Sequence, residues 1–353
     1  MQKKRNLGLD MARSIAIILV LISHSRMFFQ NYNLQFLSIC GLLGVEIFFV
    51  LSGFLVGKIL IRDFVEISSK PSLMQFYLRR WLRTLPLYYL VMILIALFLK
   101  LQIPKSNLIF LQNFNETKLG FMPVSWSLSI EEWFYLLIPF VLFISIKLLG
   151  NIINKKTIFF AIAFLIGIMS FILRIYNVIE YIPSWDFGVR KQVFLRMDSM
   201  MVGVLLSGIK YYYKSFYNKI VESKIPMVSS ITGFILIGIW YIGFLGAGVK
   251  FDSQISKVLI FSLISIICMF FILWLENNKA VNYSLGKTIS SLITEISILS
   301  YSLYLVHFTI YGQLAKYQGF IGWFVAIIIS VVLSIILNRY FEAPIMRWRD
   351  KIT

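Results

Sequence analysis

The chain contains two histidines, and both fall inside long apolar runs. His24 lies near the end of the first run, beside Ser23, Ser25 and Arg26. His307 lies in a late run that reads Ser300-Tyr301-Ser302-Leu303-Tyr304-Leu305-Val306-His307. A neutral imidazole can accept a proton as a general base or carry a group as a transient nucleophile. Arg13 precedes His24 by about three helical turns, so both point to nearly one face, about 16 Å apart along the axis. Asp10, one turn before Arg13, can pair with it. Arg80 and Arg83 also sit one turn apart on a shared face, and planar guanidinium forks suit phosphate groups. Plain competing readings exist for each: a snorkelling interface arginine for Arg13, an interfacial or structural histidine for His24 and His307, and loop charge for Arg80 and Arg83.

Carboxylates complete the set. Glu46 is a buried candidate in the second run, where Ser52-Gly53 permits close helix approach. Ser127 and Glu131 form an i, i+4 pair at the start of the fourth run. A carboxylate there could orient or acidify an imidazole, although a first-turn carboxylate also simply suits the helix dipole. Arg196 and Asp198 read as an intramembrane salt bridge, and Glu342-Ala343-Pro344 as the end of the last helix. In lipid every such side chain is costly unless it faces a cavity or a partner, so each is a functional candidate.

The elements that position these residues must be membrane helices. Of 353 residues, 59% are hydrophobic and 14% charged, and the mean hydropathy is +0.82. A soluble domain carries roughly 25% charge. Apolar segments of spanning length fall at about 9–29, 37–60, 85–101, 132–149, 157–175, 193–209, 227–246, 257–275, 296–315 and 321–341. This predicts an all-α integral membrane protein of about ten transmembrane helices, a single membrane domain over 1–353. The basic start, Met1 to Arg5, resembles a signal peptide. The run after it carries Arg13 and His24 and lacks a small-residue cleavage site, so it reads as a retained first helix.

The net charge is +18. In a soluble protein that would suggest nucleic acid. Here most basic residues lie between apolar runs, where they hold loops in the inner leaflet and touch anionic membrane lipids. With the N-terminus inside, the cytoplasmic side collects about 20 Lys and Arg against about 10 outside, which predicts both termini cytoplasmic. Cys40 and Cys268 offer neither a disulfide framework nor metal spacing, and no metal is expected.

Taken together the strings resemble the acyltransferase-3 family of bacterial membrane acyltransferases, from Leu9 to Pro344. The strongest pieces are Leu9-Asp10 with Arg13 and His24; Phe48-Phe49 with Ser52-Gly53-Phe54; Arg80, Arg83, Pro86 and Tyr88; and Trp126-Ser127-Leu128 with Glu131, Phe134 and Tyr135. Arg196 with Asp198 and Gly203, the string ending at His307, and Glu342 with Pro344 add weaker support. The resemblance implies about ten helices and a cytoplasmic acyl-CoA donor, usually acetyl-CoA. It also implies a sugar hydroxyl acceptor on a surface glycan or its lipid-linked precursor. Arg13 and His24 match the family's Arg-ten residues-His motif, and Arg80 and Arg83 its Arg-x-x-Arg motif. Some members carry an additional extracytoplasmic esterase-like domain, which a chain ending at Thr353 is expected to lack.

The expected division of labour follows. Arg13, Arg80 and Arg83 attract the coenzyme phosphates. His24 deprotonates the acceptor or carries the acetyl group, and Glu131, or Glu46, holds the imidazole. Tyr88, Ser127, Arg196, Asp198 and His307 support the site. Acceptor contacts fall in the outer loops near 101–124 and 176–192. A transporter or flippase would share the many helices and midplane polar residues, but no pair of short broken helices occupies corresponding halves. A non-catalytic sensor on the same scaffold would not need Arg13, His24, Arg80 and Arg83.

Overall fold

A backbone in lipid must satisfy its own N–H and C=O groups, so the apolar runs fold as helices. The computed structural model describes residues 5–66, 72–114, 120–246, 253–278, 281 and 285–352. Lys3, Lys4, Lys70, Lys118, Lys250 and Lys279, which enter the charge count by loop, lie outside the described residues. In chain order the helices are α1 Leu7–Ser25, α2 Ser38–Leu60, α3 Leu73–Leu99, the single turn α4 Lys105–Leu108, α5 Trp126–Leu149, α6 Lys155–Tyr181 and α7 Met197–Tyr212. Then follow α8 Lys214–Glu222, α9 Ile225–Gly246, α10 Gln254–Asn277, α11 Lys287–Leu314, α12 Phe320–Leu337 and α13 Ala343–Ile352. No strand occurs among the described residues.

Side-chain caps start several helices. Asn6 accepts from the Leu9 N–H at 3.0 Å, and Ser72 from the Gln75 N–H at 3.2 Å. Each satisfies an N–H group that has no partner within its own helix.

Nine helical segments among the described residues are long and apolar enough to cross a membrane. The sixth expected span, 193–209, is the one not among them; it corresponds to α7, which has 16 residues. That is about 24 Å of rise, shorter than the roughly 30 Å hydrocarbon core. It nonetheless runs the depth of the bundle. At one end Arg174 of α6 donates to the Leu195 carbonyl just before α7, at 2.9 Å. At the other, the rings of Phe160 and Tyr212 lie 6.0 Å apart, and Tyr212 donates to Glu66 beyond α2 at 2.7 Å. α7 is therefore antiparallel to α6 and parallel to α2. Its first two turns are largely buried by protein, so it need not match the lipid thickness.

α2 and α7 meet along glycines. A Cβ on Gly53 would lie 1.9 Å from the Met200 carbonyl oxygen, and one on Gly203 would lie 2.1 Å from that of Val50. Neither backbone can move without displacing a whole helix, which is why small residues occupy this seam. Gly53→Val is expected to cost at least about 1–3 kcal/mol through overpacking. Thermal unfolding of detergent-purified protein measures it, and an unchanged midpoint would mean the two backbones are not this close.

The charges carried inward are matched across helices. Arg196, at the entry to α7, pairs with Glu46 of α2 and donates to Ser199 at 3.1 Å. Arg174 of α6 pairs with Asp198 of α7 at 2.8 Å and donates to Ser262 of α10 at 2.6 Å. Arg196 and Asp198 were expected to pair with each other. Arg196 stands just before the first turn of α7 and Asp198 within it, and each takes its partner from another helix.

Candidate active site

Helix α1 sets the axis of the site. Near its start, Asp10 lies between two arginines, 2.7 Å from Arg5 and 3.3 Å from Arg13. The expected pairing of Asp10 with Arg13 is present. Ser297 of α11 closes the group by accepting from Arg13 at 2.9 Å and donating to Asp10 at 2.8 Å. The Arg13 guanidinium is thereby held while the rest of it faces a cavity.

That cavity has a volume of about 1030 Å³ and lies at the arginine end of the bundle, between α1, α2, α3, α5, α11 and α13. Eight Lys or Arg side chains line it, among them Arg13, Arg80 and Arg83, against three carboxylates, Glu131, Glu342 and Asp350. Arg80 and Arg83 share a face of α3, as their spacing requires. The Arg80 guanidinium lies over the Tyr135 ring, 4.7 Å from its centroid, and its Nε has no partner among the described residues. Arg83 is open to the cavity and makes no hydrogen bond or ion pair among the described residues. Converging guanidinium groups with unused donors form a site for a polyanion such as a phosphate ester.

Glu131 faces this cavity and not the histidines. Ser52 donates to its Oε1 at 2.9 Å, and Tyr135 approaches its Oε2 at 3.4 Å. The expected contact between Glu131 and His24 is not made. Glu131 sits one turn inward of Ser127, whose hydroxyl is 2.6 Å from that of Tyr304. His307 sits one turn further outward than Tyr304, which leaves about 10 Å of axial separation. Glu46 does not reach His24 either, because its carboxylate is committed to Arg196.

The imidazole next to His24 is that of His307. His24 Nδ1 and His307 Nε2 are 3.0 Å apart, and His307 Nδ1 lies 2.9 Å from the Leu303 carbonyl oxygen. Phe308 packs edge-on against His24, with ring centroids 5.0 Å apart at 86°. His307 is fully buried and His24 partly so. The pair lies beyond the inner end of the cavity, where Phe48, Ser127 and Tyr304 form the wall. Phe48 and Tyr304 meet at 6.3 Å, and Tyr304 donates to the Val124 carbonyl at 2.9 Å.

Cationic side chains gather beside the start of α5. The Arg190 guanidinium lies 4.7 Å from the Trp126 ring, and Lys191 pairs with Asp186 at 2.6 Å. Burial pushes the Asp186 carboxyl up, but Arg190 and Lys191 outweigh it and hold the group below the usual carboxylate range.

The remaining expected residues do not line the cavity. Tyr88 is fully buried and donates to the Asn107 carbonyl at 2.9 Å, away from the cavity. Arg196 and Asp198 serve the interhelical pairs. Three residues escaped the sequence reading as site residues: Ser297, Ser52 and Tyr304. Tyr304 and Ser52 lie within the strings that carried the family resemblance. Ser297 carries no signal of its own, except that it precedes His307 by about the interval that separates Arg13 from His24, as two parallel helices require. No group of three or more His, Cys, Asp or Glu suited to a metal occurs among the described residues.

A polytopic helical bundle with a cation-lined cavity and a partly buried histidine pair defines a membrane protein with its candidate chemistry inside the bundle. The chain belongs to the acyltransferase-3 family: a profile described as an acyltransferase domain matches residues 6–339. It is similar to a Staphylococcus aureus (strain COL) protein named "Putative O-acetyltransferase SACOL0978", 26% identical over 368 aligned residues, which cover 96% of this chain and 56% of that one. It is also similar to O-acetyltransferase OatA of Staphylococcus aureus (strain NCTC 8325 / PS 47), 27% identical over 96% of this chain and 57% of the relative. The chain thus spans little more than half the length of these curated relatives. No solved structure matches it.

Proposed function

We propose that the protein is a membrane-bound O-acyltransferase that moves an acetyl group from acetyl-CoA to a sugar hydroxyl of a surface polysaccharide or its lipid-linked precursor. The arginine-lined end faces the cytoplasm of a bacterial cell, and both termini lie on that side. The observation that carries this reading is the cation-lined cavity of about 1030 Å³ ending one helical turn short of a paired histidine. Its volume suits a cofactor-sized ligand. The family and the names of the relatives supply the acyl group and the oxygen acceptor.

In this mechanism Arg80, Arg83 and Arg13 hold the coenzyme phosphates, and the pantetheine arm extends along α1. Phe48 and Tyr304 yield to let the thioester pass the inner wall. His24 takes the proton of the acceptor hydroxyl as the new C–O bond forms and the C–S bond breaks. The proton then leaves on the coenzyme thiol. In the two-step version the imidazole nitrogen first takes the acetyl group as the coenzyme thiolate leaves, then passes it to the hydroxyl, whose proton goes to that thiolate. Glu131, bonded to Ser52 and Tyr135, shapes the donor site and does not touch the imidazole.

Acetyl transfer from radiolabelled acetyl-CoA, in membranes expressing the protein and supplied with the cell's own glycans, tests this. Label is expected to enter the glycan. No label from folded protein across a range of acceptors would overturn the reading. Arg80→Gln and Arg83→Gln are each expected to raise the half-saturating acetyl-CoA concentration roughly tenfold or more, the loss of one charge-assisted hydrogen bond. An unchanged value for both would move the phosphate site elsewhere.

A further inference from the structure

The direction of the hydrogen bond between the two histidines follows from its surroundings. His307 Nδ1 faces the Leu303 carbonyl oxygen at 2.9 Å. A carbonyl only accepts, so Nδ1 of His307 carries the ring hydrogen. With one hydrogen per ring, Nε2 of His307 is a lone pair. His24 Nδ1 lies 3.0 Å from that lone pair, so His24 donates from Nδ1 and its own Nε2 is left bare.

We infer that His307 is a positioning residue that locks His24 in the Nδ1-protonated tautomer and presents Nε2 as the reactive nitrogen. The inference rests on the acyl-transfer reading and names a residue that acts through another one. Three features support it. Leu303 is one turn before His307 on the same helix, so the bond that sets the tautomer of His307 is supplied by α11 itself. Aromatic rings pack around the pair: Tyr311 lies 5.8 Å from His307 at 89°, and Phe308 lies against His24. No carboxylate hydrogen-bonds either imidazole among the described residues. A neutral histidine therefore fills the place a carboxylate usually takes.

The proton balance is simple. When Nε2 of His24 accepts the hydroxyl proton, its Nδ1–H keeps its bond to His307. When that proton leaves on the coenzyme thiol, the pair returns to its starting state. A neutral partner supplies orientation and tautomer without the charge stabilisation of a carboxylate. Its removal is therefore expected to cost about a hundredfold, in the range of lost ligand-orienting bonds and below the roughly 10⁴-fold loss seen when a triad histidine is left in the wrong tautomer.

Only two histidines are present, so ¹⁵N-histidine labelling of the full-length detergent-purified protein yields two ring systems. NMR at neutral pH is expected to show His24 protonated at Nδ1 and bare at Nε2. His307→Leu, checked for folding by thermal unfolding, is expected to lower the rate of transfer about a hundredfold while the half-saturating acetyl-CoA concentration stays unchanged. His307→Gln, whose side-chain oxygen can accept from His24 Nδ1, is expected to recover all but about tenfold of that loss. A wild-type His24 protonated at Nε2 would overturn the inference whatever the activity. So would a folded His307→Leu protein working at the wild-type rate. If the acyl-transfer reading itself is wrong, wild type shows no transfer at all, and the NMR result alone decides the tautomer.

Discussion

His24→Ala is expected to leave a folded protein that binds the donor but transfers acetyl at least about 10³-fold more slowly, the range lost with a general base or nucleophile. Arg13 lies about 16 Å away along α1, and Arg80 and Arg83 line the same cavity from α3, so donor binding keeps its determinants. The loss should fall on turnover and leave the half-saturating acetyl-CoA concentration near the wild-type value. That split separates a role in chemistry from one in folding or binding. The test is incorporation of label from radiolabelled acetyl-CoA into glycan, with wild-type and His24→Ala membranes matched for protein. Full activity in the variant would sink both the base and the acyl-carrier versions. A variant that merely raised the donor requirement would place His24 in the binding site instead.

Glu46→Ala is expected to be the most destabilising single change in the bundle. Glu46 and Arg196 are both buried, with side-chain exposures of 1% and 0%. Arg196 also lies over the Phe261 ring, 3.9 Å from its centroid. Removing one partner of such a pair strands an uncompensated charge and costs about 3–5 kcal/mol. Replacing both with apolar residues of similar volume, Glu46→Leu with Arg196→Met, leaves no charge behind and should recover most of that loss. Thermal unfolding of the three variants in one detergent forms a double-mutant cycle. A double variant as unstable as Glu46→Ala would mean that packing at this junction, not charge pairing, dominates. Since the pair lies away from the arginine-lined cavity, the double variant should keep donor binding wherever it keeps its fold.

Much of the chain was legible without coordinates. Lipid permits few backbone solutions, so apolar length translates directly into helices, and nine of the expected segments are present as long apolar helices. α7 was the exception in length, because a helix surrounded by protein is released from matching the lipid. The pairing of Asp10 with Arg13 and the common face of Arg80 and Arg83 were equally readable, because neighbours within one helix are placed by its 3.6-residue repeat.

Partners between helices were not readable. Spacing within α2, α5 and α7 said nothing of how those helices rotate against one another. Glu46 stood as the alternative partner of the imidazole when its carboxylate faces Arg196, and the ion pairing read at Arg196 and Asp198 is made across helices, with Glu46 and Arg174. Glu131 was placed beside His24 when about two turns of helix separate them. His307 was counted as support without its contact being known, although a sequence distance of 283 residues closes to 3.0 Å.

By itself, then, the sequence determined that this is a helical membrane protein with an arginine and a histidine on one face of the first helix, properties of composition and of a single helix's geometry, while its motif strings carried the resemblance to the acyltransferase-3 family. Only the tertiary structure decided that the arginines of α1 and α3 converge on one cavity, that Glu131 belongs to it, and that the partner of His24 is His307. Those choices depend on the rotation and depth of helices packed against each other. Glycine seams and buried ion pairs set that packing, and no local repeat encodes it.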